Sequence, residues 1–413
     1  MKKWLAFMLA VVMLTTLSIS AGFAADDENT LIFWSNETAY EGYDEWIQMA
    51  EDATGLDIVV KGLPQNQSEK NTKIITLLTG GADADVVSCG EETLVALKTT
   101  NAILPVDDVI TDDIYAQLPV GLQNIISYDG HIYGVPTFME FIALWADQSK
   151  IEALGYENLE DEDAFMQYLE TYSTGNTWAY GGSWAQNFVY NEIGVFIYLF
   201  GGDFFDFTNP NTRAGVEFMY DMVKKGYTPI ANLADEHVTT QQKMFDGIEF
   251  STITYSTYIN NFVNADAYSP TSKLHITPLP KLPSNTSGVN TSYCSGWFYG
   301  VSSASTHPEA VKKFLDWAIS EEAELAFYDC TGLLPARIDV LNSDNLKYSV
   351  WGEEGLEDIR YYLNNYRMIQ RPVPTDSLDF IANFGSLFQR YISDDVTLDE
   401  YCEQAQALID AAF

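Results

Sequence analysis

Thr30-Leu31-Ile32-Phe33-Trp34 is a short apolar run, and from about Tyr40 to Thr54 it gives way to a stretch whose apolar positions recur at helical spacing. The order then repeats. Asp57-Ile58-Val59-Val60 predicts a strand, Ser68 to Leu78 a helix closed by Gly80-Gly81, Asp85-Val86-Val87-Ser88 a strand, and Glu91 to Lys98 a helix. Alternating β and α elements imply an α/β fold, with a mostly parallel sheet covered on both faces. Ligands of such sheets bind outside the carboxyl ends of the strands. That places Trp34, Asn36 and Glu37 at one candidate edge and Ser88 to Glu91 at another.

Towards the N-terminus, Lys2 and Lys3 precede an apolar run from Trp4 to Leu14, and small and polar residues lead to Gly22-Phe23-Ala24. This is the pattern of a secretory signal peptide over residues 1–24, with an apolar run too short to anchor in a bilayer. No cysteine lies near the cut, so no lipoprotein-type tether is expected and the mature protein should be soluble. The remaining chain has room for roughly two or three domains.

Downstream, Tyr128-Asp129-Gly130-His131 predicts a hairpin through Asp-Gly, and Phe141 to Trp145 a buried strand. Asp163 to Tyr172 reads as helix, as does Pro210 to Lys225, which starts with Asn209 as cap and stops at Gly226. A second α/β lobe follows from these. Pro278 to Pro283, with Ser284 to Asn290, is the most linker-like stretch. After it come a strand around Trp297 to Val301 and helices at about Pro308 to Ser320 and Ser320 to Cys330.

With 47% hydrophobic, 14% aromatic and 19% charged residues, the chain is neither disordered nor a membrane bundle. A formal charge of −38 repels phosphate backbones and anionic lipid surfaces, so nucleic acid is not an expected partner. Cys89, Cys294, Cys330 and Cys402 form no CxxC or zinc-ligand cluster; export permits disulfides, and three full pairings or buried free thiols remain open. His131, His237, His275 and His307 are isolated. With no GxSxG, HExxH, GxxxxGK[ST] or EF-hand pattern, neither a metal site nor a cofactor is expected.

Tyr128-x-Gly-x-x-Tyr-Gly-Val-Pro136 followed by Leu144-Trp145-Ala146-Asp147, Phe245-x-x-Gly247 before a strand, Gly296 to Val301 before His307 to Leu315, and Gly332-Leu333-Leu334-Pro335 occur in that order. Together with Thr397-Leu398-Asp399-Glu400 near the end, this set resembles the family 1 extracellular solute-binding proteins over nearly all of the mature chain. The resemblance implies a type II, maltose-binding-protein-like fold of two discontinuous lobes, 25–141 plus 283–330 and 142–282 plus 331–413, joined by crossover strands around a ligand cleft. It implies a monomeric receptor that closes on its solute and delivers it to the permease subunits of an ABC importer, without catalysis. The periplasm, or otherwise the cell exterior, is the implied location.

A sugar presents apolar ring faces to stack on and hydroxyls that need paired donors and acceptors. Loop segments rich in such groups are Trp184 to Phe188 with Asn187, Tyr255 to Tyr258, and Tyr293 to Trp297. Any one of these aromatics could instead pack in the core. Glu140, four residues after Pro136, matches by resemblance the carboxylate that holds sugar hydroxyls in the family. Asp376 and Phe380 lie where relatives supply an aromatic platform, although the tryptophan expected there is absent. The candidate ligand-binding set is therefore Trp34, Asn36, Glu37, Ser88, Glu91, Glu140, Trp184, Asn187, Tyr255, Tyr258, Tyr293, Trp297, Asp376 and Phe380. A carbohydrate, taken as an oligosaccharide, is the expected ligand. The rivals are a non-sugar solute such as a peptide, a polyol or an organic anion, the last depending on Arg337 or Arg371, and a secreted glycoside hydrolase built on two carboxylates.

Overall fold

The computed structural model describes residues 28–64, 66–81, 83–263, 274–347, 350–374 and 376–413. The signal peptide expected over residues 1–24 lies outside the described residues. Eleven strands appear in chain order: β1 (Thr30–Ser35), β2 (Asp57–Gly62), β3 (Val86–Gly90), β4 (Ile103–Leu104), β5 (Ser127–Tyr128), β6 (His131–Ile132), β7 (Val135–Asp147), β8 (Ser251–Tyr255), β9 (Leu274–Thr277), β10 (Thr291–Ser302) and β11 (Arg367–Ile369). β5 and β6 form the predicted hairpin. Asp129 and Gly130 both take positive φ, 47° and 81°, as a two-residue turn of that kind requires.

The main sheet runs β2-β1-β3-β10-β7-β8, with β4 and β11 on β10 and β9 on β7. The expectation of a mostly parallel sheet is corrected. Only β1 with β2, β1 with β3, and β10 with β11 are parallel, while β10 with β3, β4 and β7, and β7 with β8 and β9, are antiparallel. The parallel part is the βαβ region, where a helix carries the chain back over the sheet; β7 and β10 return from longer excursions, so their direction is not set by a crossover helix.

β7 and β10 position everything that follows. β7 is thirteen residues long, and all but Glu140 are buried. Its first half pairs with β10 through Phe141–Cys294, and its second half, from Ile142, pairs with β8 and β9. Glu140 thus sits beside the point where the strand changes partners. The stretch expected to be linker-like is packed at its ends and exposed between them: Leu279 and Asn290 are buried, the Leu279 N–H donates to the Tyr366 hydroxyl at 2.7 Å, and Thr286 to Val289 face solvent. Prolines there stop secondary structure without freeing the chain.

Helix ends follow the local rules. Asn209 accepts from the Asn211 N–H ahead of Pro210–Lys224, and Thr397 with Glu400 forms a capping box at the start of Leu398–Ala412. No described helix is long and apolar enough to cross a membrane. All four cysteines are unpaired, and Cys89, Cys294 and Cys402 are buried.

Candidate functional site

Where β1, β3 and β8 end beside the middle of β7 and β10, a connected set of charged and aromatic side chains fills the junction. Glu37, in the 3-10 turn after β1, is fully buried; its two oxygens accept from the Ser35 and Ser88 hydroxyls, each at 2.5 Å. Burial raises its pKa, and those two hydroxyls and Lys70 oppose the rise. The Lys70 ammonium lies 4.3 Å from the centre of the Trp297 ring, and burial pulls its pKa down to about 8 against the pull of Glu37 and Glu92.

The helix Glu91–Lys98 begins at the end of β3 and brings two carboxylates to Arg371. The Arg371 Nε donates to Glu91 at 2.9 Å, one terminal nitrogen donates to Glu92, and the other donates to Asn191 at 3.2 Å. The Glu91 oxygen on Arg371 also accepts from Ser295 at 3.1 Å. Burial works against the guanidinium charge, but Glu92 and Glu91 more than offset it and leave its pKa raised. Asn191 in turn donates to the Tyr255 hydroxyl at 2.7 Å.

Glu140 accepts from the Thr257 hydroxyl at 3.0 Å through one oxygen. Burial pushes its pKa up to about 7, opposed by Thr257 and Arg371 and reinforced by Glu92 and Glu91. Beside it stands an aromatic wall. The His237 ring lies 5.0 Å from Phe188, 5.8 Å from Tyr255 and 5.5 Å from Tyr258. Burial alone depresses the His237 pKa to about 4, so the ring is neutral at ordinary pH. Tyr40 closes the set, close enough to feel both Glu140 and Glu37.

Of the fourteen residues expected from sequence, Glu37, Ser88, Glu91, Glu140, Tyr255, Tyr258 and Trp297 come together here. Asn36 adjoins Glu37 and is buried, and no described residue bonds its Oδ1. Trp34 stands apart, its ring faced by Lys73 at 4.3 Å and Lys61 at 5.5 Å and its N–H given to the Asp83 carbonyl. Asn187 and Asp376 are exposed, Asn187 beside Phe188.

Three expectations are corrected. Trp184 is fully buried, donating to Glu192 at 2.8 Å and packed edge-on against Phe388, so it anchors its loop and offers no face to a ligand. Tyr293 is buried beside Tyr198, and its hydroxyl occupies the space a Cβ on Gly194 would need, 1.9 Å away. Phe380 packs among Tyr190, Phe384 and Phe413, so no platform forms there. The common reason is that a buried aromatic releases more surface from water than a rim aromatic does, and a nearby acceptor removes the cost of the Trp N–H. Accordingly, Trp184→Phe should lower stability by about 1–3 kcal/mol, because buried Glu192 loses one of its three donors, and leave ligand affinity unchanged. Chemical denaturation and titration of the same sample check both.

Sequence reasoning missed Tyr40, Lys70, Glu92, Asn191, Thr257 and His237. His237 looked isolated because its ring partners come from other elements. Arg371 was singled out as an anion contact, but its donors are committed to Glu91, Glu92 and Asn191. Arg337 is likewise held by Asp339 and the Ile319 carbonyl. Among the described residues no group of three or more His, Cys, Asp or Glu is arranged to hold a metal ion.

The sequence pattern of the bacterial extracellular solute-binding proteins matches residues 45–350. A maltotriose-binding protein of Pyrococcus abyssi is 23% identical over 209 residues, which is 49% of this chain and 42% of that relative, so the match spans less than half the length of the curated relative. Among solved structures, maltose-bound MalE3 of T. maritima superposes with a TM-score of 0.75 at 16% identity, covering 93% of this chain and 100% of that one. A solute-binding protein of Thermotoga lettingae bound with alpha-D-tagatose gives a TM-score of 0.75 at 17% identity, over 93% and 99% of the two chains. The fold is therefore the mixed α/β periplasmic-binding-protein fold.

Proposed function

Because this chain belongs to the bacterial extracellular solute-binding protein family, we propose that it captures a carbohydrate between two lobes and presents it to an ABC importer. The family is one of transport receptors, not enzymes, which removes the hydrolase reading. The observation that carries the sugar assignment is the pairing of Glu140 with the Tyr255, Tyr258 and His237 wall. A carboxylate with a free oxygen accepts ring hydroxyls, and the adjoining aromatic faces suit the apolar side of a pyranose. Relatives that hold a maltose, a tagatose and a maltotriose are consistent with one to a few sugar units.

In this reading the lobes are 25–141 plus 283–330 and 142–282 plus 331–413. β7 crosses between them at Phe141–Ile142, and a ligand touching both sides selects the closed state. The protein acts as a monomer outside the cytoplasm, in a periplasm or at the cell exterior. An organic-anion ligand is disfavoured because Arg371 and Arg337 are already paired with carboxylates.

Thermal-shift titration against mono- and oligosaccharides, with peptides, polyols and organic acids as controls, tests the assignment. The expected result is a rise in melting temperature that grows with the logarithm of sugar concentration, about 2.7 kcal/mol at a hundredfold excess over Kd, with the sugar recovered intact. Stabilisation by a non-sugar class alone would overturn it.

A further inference from the structure

The junction is unbalanced in charge and in hydrogen bonding. Among the described residues, four carboxylates, Glu37, Glu91, Glu92 and Glu140, are met by three cations, Lys70, Arg371 and Lys98, the last acting on Glu91 while its ammonium donates to the Asn124, Ile125 and Ser127 carbonyls. Arg371 is already spent on three partners, and Lys70 lies over Trp297. The unused groups are mainly acceptors: buried Asn36 Oδ1 and Glu91 Oε1 meet no donor among the described residues, and Glu140 uses one of its two oxygens.

Resting on the reading of this cleft as a carbohydrate site, we propose that the sugar it takes carries a basic nitrogen, an amino sugar whose ammonium is held between Glu140 and the Tyr255–Tyr258 wall. An ammonium supplies three donors and no acceptor, whereas every hydroxyl it replaces would bring lone pairs that need donors. It also offsets a charge that burial makes costly, and Tyr faces attract a cation placed over them. Tyr255 and Tyr258 lie 6.3 Å apart, ring centre to ring centre, at an interplanar angle of 38°. The His237 ring beside them is uncharged and so does not compete. One turn along the same helix, Gln241 keeps its amide N–H₂ unbonded, a donor left for the neutral hydroxyls of the same ring.

The experiment is calorimetric titration of the protein with matched triplets: glucose, glucosamine and N-acetylglucosamine, the galactose series, and β-1,4 and α-1,4 oligomers bearing hydroxyl, amino or acetamido groups. The amino member of a triplet should bind roughly ten- to a hundredfold tighter than the hydroxyl and acetamido members. Glu140→Gln should cut that preference by about tenfold, with Tyr258→Leu as a second variant acting through the wall. Equal or tighter binding of a neutral sugar overturns this proposal and leaves the carbohydrate reading standing. Failure of every sugar, amino or neutral, overturns both.

Discussion

Arg371→Met lowers stability by about 3–5 kcal/mol, the loss expected when one partner of a buried ion pair is removed. The Glu91 side chain is 1% exposed and that of Arg371 10%, so the carboxylates left behind lie largely out of reach of water. Screening by salt should barely change the result, because the pair is shielded from solvent. The loss belongs to the uncompensated acids, and adding Glu91→Gln and Glu92→Gln should recover most of it. Ligand affinity falls too, by about tenfold or more for each 1.4 kcal/mol of lost positioning. Arg371 holds the Asn191 carbonyl, and the Asn191 amide holds the Tyr255 hydroxyl, so the wall loses its orienting contact. Urea midpoints and titration calorimetry read the two effects; a midpoint unchanged in the single variant would mean that the guanidinium is dispensable to the fold.

The distances along the chain explain why this clasp was not legible in sequence. Arg371 meets Glu91, Glu92 and Asn191 across separations of 280, 279 and 180 residues, and no local pattern records such a meeting. Local chemistry was readable. The helix Glu91–Lys98, the Asp129-Gly130 turn, and the start at Asn209-Pro210 depend on neighbours a few residues away and stand where expected. The long strand β7 was seen only as its Phe141–Trp145 core, because its first half pairs with β10 and so is fixed by residues more than 150 positions on.

The aromatic residues mark the same limit differently. Tyr255 and Tyr258 follow a strand end, Trp184 follows a glycine pair, and all three look alike as loop aromatics. What separates them is Glu192, buried on the helix Tyr190–Leu199, which takes the Trp184 N–H, the Ser183 N–H and the Tyr180 hydroxyl and so fixes that loop into the core. Tyr255 is met by Asn191, one residue earlier on that helix, and stays with the charged cluster.

Glu324→Gln stabilises the protein by about 2–3 kcal/mol at pH 8 and has little effect near pH 4.5. Glu324 is 2% exposed on the helix Glu321–Thr331; one oxygen accepts a long 3.4 Å bond from the Arg337 N–H, and the other has no donor among the described residues. Burial raises its pKa to about 8, against the opposing pull of Arg337. A raised folded-state pKa gives stability that is fully present below the unfolded value of about 4.5 and is lost as pH climbs to about 8. Glu192 and Glu249, each raised to about 7 by burial, act in the same direction. His237 acts in the opposite one: its pKa, lowered to about 4, gives stability that is present above about 6.5 and lost as pH falls towards 4. These buried carboxylates, joined by Glu140 at about 7 and by Glu37 and Glu91 raised in the same direction, outweigh the one imidazole and leave the wild-type protein more stable at pH 5 than at pH 8. Urea midpoints at the two values should show that order, with the gap narrowed in Glu324→Gln; a variant no more stable than the wild type at pH 8 would mean that Glu324 pays no ionisation cost in the fold. Glutamine is the informative replacement because it keeps the shape and the acceptor for Arg337 while removing the charge, so the change in slope with pH reports ionisation and not packing.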